Sequence, residues 1–145
     1  WGPITKRFPQ GAEGLRKRVL MFISGLHGHL QPLGIEEDDD KVTISMKPCG
    51  SGGRLIQRGG YEAPINFYKI EKGSKFTYGI DNMPVYCAHE SAMELVDIDG
   101  NGAPMVVVEP AENLGEGYCK LIVYKDPAKI PDRYYERLGR KKPAA

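Results

Sequence analysis

The hydrophobic period of this chain changes once, from about 3.6 residues to 2, and that change limits the folds open to it. Over residues 12–31, Leu15, Val19, Phe22, Ile23, Leu26 and Leu30 recur at spacings of three and four. They lay one apolar stripe along a helix, while Glu13, Arg16 and Lys17 fall elsewhere, and Pro32 is placed to stop it. From residue 42 the alternation is strict: Val42, Ile44 and Met46 face one way and Thr43, Ser45 and Lys47 the other, as in a half-buried strand that ends at Pro48. A helix with one apolar stripe and strands with an apolar face bury them against each other, which makes an α+β domain.

The rest of the chain extends this frame. The acidic run at residues 36–40 carries five like charges and reads as a solvated loop. After Pro48 a glycine-rich turn, Cys49-Gly50-Ser51-Gly52-Gly53, is expected to lead into a returning strand over residues 54–58. The β-prone runs at 65–70 and 76–80 are separated by Lys72-Gly73-Ser74, which is hairpin chemistry. Residues 90–96 suit a short helix, and residues 105–109 and 118–124 are the clearest later strands. Pro131-Asp132 opens a last short helix through Leu138, closed by Gly139, on which Tyr134 and Tyr135 serve as docking residues. Residues 1–10, with Pro3 and Pro9, read as an extended arm, and residues 140–145 as a disordered basic tail. The expectation is a single domain over residues 1–145: an N-terminal helix, a mostly antiparallel sheet of five or more strands, and a short C-terminal helix.

Composition excludes several classes of function. The chain has 145 residues, enough for one core. Its longest apolar run, residues 19–23, is far short of the ~20 needed to span a bilayer, so no membrane partner is expected. The net charge is +1 and the basic residues are scattered, so nucleic acid is not expected either. Three cysteines are too few, and odd in number, for a disulfide framework, and no apolar leader opens the sequence, which points to a reducing, cytoplasmic setting. The chain opens on Trp1, as expected where the true start is missing or was processed.

Chemistry concentrates in the stretch MPVYCAHES, residues 83–91, where a thiol and an imidazole stand two apart in a chain with three of each. If residues 84–89 are extended, Cys87 and His89 share one face. If a helix begins at Ala88, they lie roughly 200° apart and cannot share a ligand. Pro84 and the β-branched Val85 favour the extended form at least as far as Cys87. Cys119 alternates with Leu121 and Val123, and Cys49 stands where a strand runs into a turn, so all three thiols can meet at one end of a sheet. Cys49, Cys87, His89 and Cys119 then form a Cys₃His set suited to tetrahedral zinc. Two other readings stay open: cysteines buried as small hydrophobes, and Cys87 as a nucleophile with His89 as its base.

The segments MKPCGSGGRLIQRGGY, MPVYCAH and GYCKLIVYKDPAKIP together resemble a group of small bacterial proteins of uncharacterised function that carry a PCGSGGRL box and a PxYCxHC box. The resemblance covers residues 47–131 and brings no established activity. In that pattern a second Cys follows the His; here the position is Glu90, so a ligand is missing or has become a carboxylate. The ending GEGYCKLIVY is also similar to the terminal strand of the 4-vinyl reductase and amino-thiazoline-carboxylate hydrolase families, an analogy at the level of fold.

Two further loops suggest ligands. Ser51, Gly52 and Gly53 can turn successive N–H groups inward as an anion nest, with Arg54 as a bidentate fork, although no Walker GK[ST] follows and an ordinary hairpin turn fits the same residues. Asp97-Ile98-Asp99-Gly100-Asn101-Gly102 imitates the start of an EF-hand, but position 12 is Val108, so a tight turn is expected. His27 and His29 read as surface or boundary residues. The functional expectation is a zinc-binding accessory or small-molecule-binding domain with an adjacent anion loop, its partners a small anionic ligand and a larger protein complex. The alternative is a zinc-dependent hydrolase in which Glu90 is the general base and Arg54 holds a carboxylate substrate.

Overall fold

The computed structural model describes residues 11–144. The expected arm at residues 1–10 lies outside them. The chain is α+β, with four α-helices and six strands among the described residues. Helix α1 (Gly11–His27) places Phe22 and Leu26 in the core, with Leu15, Val19 and Ile23 packed beside them. It stops a turn before Pro32, and Leu30 follows in a left-handed conformation (φ 51°).

Strands β1 (Leu33–Glu37), β2 (Lys41–Met46), β5 (Val107–Glu109) and β6 (Cys119–Tyr124) form one antiparallel sheet in the order β1-β2-β6-β5. Among the described residues the main sheet thus has four strands, not five or more. A separate two-stranded ribbon joins β3 (Lys69–Ile70) to β4 (Met83–Pro84). Strand β1 lies partly inside the acidic run that reads as a loop. Glu36 and Glu37 end the strand, and Asp38 makes the turn by accepting the N–H groups of Asp40 and Lys41 at 2.8 and 2.9 Å.

The register explains the core. Val42 opposes Val123, Ile44 opposes Leu121 and Met46 opposes Cys119, so one face of the central pair is apolar and meets α1. On the other face Val107, Ile122 and Tyr124 pack under helices α3 (His89–Asn101) and α4 (Arg133–Glu136). Residues 121–124 are buried without alternation because both faces of β6 are covered. Ile44 and Val123, each 0% exposed, contribute about 1.5–3 kcal/mol apiece by burial. Tyr134 and Tyr135 dock α4 as expected.

Four local expectations are corrected. Residues 54–58 do not return as a strand: Gly52–Gln57 is a helix, α2, docked through Gln57, whose Nε2 donates to the Gly115 carbonyl at 2.6 Å. The hairpin at residues 65–80 is replaced by a 3₁₀ turn, Lys75–Thr77, because Ser74 and Thr77 form a reciprocal capping box. The short helix expected at 90–96 runs on to Asn101 and ends at Gly102 (φ 79°), so Asp97, Asp99 and Asn101 lie in the helix and not in the tight turn expected there. The tail is held, not disordered, over its described part: Arg140 pairs with Asp99 at 2.6 and 2.8 Å, and Lys142 donates to the carbonyls of Ala128 and Ile130. No helix among the described residues is long and apolar enough to cross a membrane.

Candidate functional site

The three cysteines come together at one end of the main sheet. Cys119 opens β6 opposite Met46, the last residue of β2, and Cys49 follows as the chain turns into α2. Cys87 arrives from the other side, in a 3₁₀ turn (Val85–Ala88) between β4 and α3. All three line a cavity of about 30 Å³, with Ser51, Gly52, His89 and Glu90 also in its wall. Met46, Met83 and Val108 make the rest of that wall largely apolar. The three thiols are free and half-buried.

The backbone of residues 84–89 differs from the extended expectation. Pro84 is extended, but winding begins at Val85 and passes directly into α3. Three side-chain bonds hold the junction: Ser91 Oγ donates to the carbonyls of Ala88 and Phe76 at 2.8 and 2.7 Å, and His89 Nδ1 donates to the Tyr86 carbonyl. The His89 ring also stacks edge-on against Tyr86, and its Nε2 lies 3.2 Å from Glu90 Oε1. Cys87 and His89 therefore reach the cavity from a wound segment and not from one face of an extended strand. The Cys87 sulfur instead packs against Gly52.

The electrostatics follow from this crowding. Burial, reinforced by Cys119, Cys49 and Glu90, pushes the Cys87 thiol up to about 12. Burial also raises Cys119, against the lowering effect of the Ala111 N–H, which donates to its sulfur at 3.4 Å. The Glu90 carboxylate holds His89 up at about 9, against partial burial. Burial thus works against thiolate formation at Cys87, and the Glu90 carboxylate, by favouring the protonated ring, works against His89 as a base. Both directions weigh against the Cys87–His89 nucleophile reading.

Arg54 does not turn toward the glycine-rich loop as a fork for an anion. Arg54 Nη2 donates to the carbonyls of His29 and Leu30 at 3.1 and 3.0 Å, tying α2 to the turn that follows α1. The carbonyl-rich end of a helix attracts a guanidinium, which is why this arginine is drawn away from the loop. Gly50 N–H donates to the Gln31 side chain and Arg54 N–H to the Cys49 carbonyl. Ser51 Oγ lies 3.3 Å from Cys49 Sγ, and Gly52 and Gly53 are buried. Ser51 and Gly52 thus face the thiols.

One cluster beside the site escapes sequence reasoning. Glu94, fully buried in α3, accepts from Tyr78 Oη at 2.7 Å, from Val108 N–H at 2.8 Å and from Arg137 at 2.9 and 3.0 Å. Arg137 also lies 4.1 Å from the Tyr78 ring centroid. Burial raises the Glu94 carboxyl even against Arg137. Tyr78 and Val108 are walls of the thiol cavity, so this network fixes two of its sides. Its signal was a glutamate at a core-facing position of α3, three residues from the buried Ser91 and four from the buried Ile98.

Among the described residues, no group of three or more His, Cys, Asp and Glu side chains is arranged to hold a metal ion as it stands. The chain matches no protein-family model, no curated protein and no solved structure.

Proposed function

We propose that this is a metal-binding domain of thiolate type, with zinc as its best-suited ion, that serves as an accessory or small-molecule-binding unit of a larger protein complex. The observation that carries the reading is that three thiols from three separated segments, Cys49, Cys87 and Cys119, line one cavity of about 30 Å³. A space of this size suits an ion or one or two waters. Burial and the neighbouring thiols raise Cys87 and Cys119, so ionisation there is favoured by a cation, and a soft or borderline divalent ion deprotonates cysteine outright. Hydrogen bonds from Ala111 N–H to Cys119, and between Ser51 and Cys49, suit sulfur atoms that carry negative charge. The thiols stand around the cavity, and ion binding would contract it.

On this reading the two boxes shared with the bacterial group are two halves of one site: the first supplies Cys49, Ser51 and Gly52, the second Cys87 and Glu90. Three free thiols suit a reducing, cytoplasmic compartment. The hydrolase reading loses its substrate clamp, because Arg54 is committed to His29 and Leu30. The test is titration of the chelator-free protein with zinc, with Co(II) as a spectroscopic substitute. One equivalent bound, with thiolate-to-cobalt absorption and a rise in melting temperature, is expected. Absence of binding at micromolar metal refutes the reading.

A further inference from the structure

We infer that the fourth protein ligand of this site is the Glu90 carboxylate, and that His89 acts on Glu90 and stays out of the metal's coordination sphere. The inference rests on the metal reading above and replaces the Cys₃His set expected from the sequence with Cys₃Glu.

Three observations carry it. The first is spacing. Residues 85–88 wind as a 3₁₀ turn that runs straight into α3, and side chains three apart align in such a turn. Cys87 and Glu90 are three apart, so thiol and carboxylate project on one side, whereas Cys87 and His89 diverge. The second is occupancy of the imidazole. His89 Nδ1 is bound to the Tyr86 carbonyl and Nε2 to Glu90 Oε1 at 3.2 Å, so ligation would need one bond broken and the ring pulled off Tyr86. The third is placement. The Glu90 side chain is 22% exposed and that of His89 48%, although both border the cavity. Glu90 is thus the less exposed of the two, with Oε1 held by His89, and Oε2 is the oxygen we assign to the ion.

A carboxylate oxygen is within the donor range of zinc at about 2.0–2.2 Å, and a histidine that orients it from outside is a familiar arrangement of a metal site's surroundings. The carboxylate is also the hardest of the four donors, so the Glu90 position is the one at which an external ligand exchanges onto the ion.

The test is X-ray absorption spectroscopy of the full chain loaded with one equivalent of zinc, together with Co(II) titration of E90A, E90C and H89A. The expected result is three sulfurs and one light atom at the metal, without the outer-shell scattering of an imidazole. E90A should then bind Co(II) more weakly than H89A, whose loss is expected to be about 10–100-fold. E90C should bind with thiolate-to-cobalt absorption raised in proportion to four sulfurs instead of three. Imidazole scattering in the wild type, or H89A weaker than E90A, overturns the Glu90 assignment and leaves the metal reading intact. Failure of the wild type to take up either ion overturns both. Circular dichroism of each metal-free variant separates ligand loss from misfolding, and the wild-type absorption spectrum decides the ligand without any variant.

Discussion

The sulfur of Cys87 and the α-carbon of Gly52 pack so closely that a methyl group on residue 52 would stand 2.7 Å from the sulfur. No side chain fits between the start of α2 and the thiol. Gly52→Ala is therefore expected to lower stability by about 1–3 kcal/mol through overpacking. Gly25→Ala is the control: it lies in α1 with nothing within 4 Å of an added methyl, and should be neutral or gain up to about 1 kcal/mol. Urea unfolding of the two variants decides the matter. Equal midpoints would mean that α2 yields and that the close approach is not a constraint.

The Glu94 cluster should behave as one unit. Glu94→Met removes the partner of a charge and two neutral donors in the core, and a loss of about 3–5 kcal/mol is expected. Arg137→Met leaves the carboxylate buried without its cation and should cost a comparable amount. The double variant E94M/R137M should recover much of the loss, because a buried pair is often replaceable by apolar side chains of similar volume. Additive losses in this double-mutant cycle would show that the two residues are not coupled.

Thiol reactivity gives a third prediction. With its thiol pushed up to about 12, Cys87 has little thiolate at pH 8. Iodoacetamide should label it at least ~10-fold more slowly than an unstructured cysteine peptide, since the thiolate is the reacting form. Mass-spectrometric rates on metal-free protein test this. Labelling of Cys87 at the free-peptide rate would restore it as a nucleophile candidate.

The C-terminal segment should loosen in acid. Arg140 bonds Asp99 through two nitrogens and holds its carboxyl below the ordinary value of 3.8. A depressed carboxyl contributes fully above its unfolded value and loses that contribution as pH falls through its lower folded value. Amide exchange at residues 140–142 should thus be protected at pH 5 and lose protection below pH 3.8, with D99N unprotected throughout. Both groups are accessible to solvent, so added salt should weaken the effect. Unchanged exchange in D99N would show that Lys142 alone holds the segment.

The parts of the fold legible in the sequence were those where one physical signal acts alone. The alternation around Val42, Ile44 and Met46 and the stripe from Leu15 to Leu26 needed only burial. Two signals competed elsewhere. At β1, charge repulsion argued for a loop, while pairing with β2 was decisive for Glu36 and Glu37. Between Ser74 and Thr77 a capping box was present, but the neighbouring Gly73 suggested a hairpin. The meeting of three thiols was foreseeable from Cys49 and Cys119 at strand ends. The role of Arg54 was not, because its acceptors, His29 and Leu30, lie far upstream and become neighbours only after the sheet forms. His89 turned on one backbone choice, extended or wound, and the side-chain bonds of Ser91 and His89 favour winding.

The pairing of Met46 with Cys119 bears on the order in which the molecule can be made. The two central strands lie far apart along the chain, and closing so long a loop costs entropy that only the finished ladder offsets. During synthesis Cys49 and Cys87 leave the ribosome well before Cys119, with no β6 to complete the cavity wall. Until that last strand is translated and zips onto β2, the early thiols are without their third companion. The interval between synthesis and sheet closure is thus when they are most open to oxidants and stray metals.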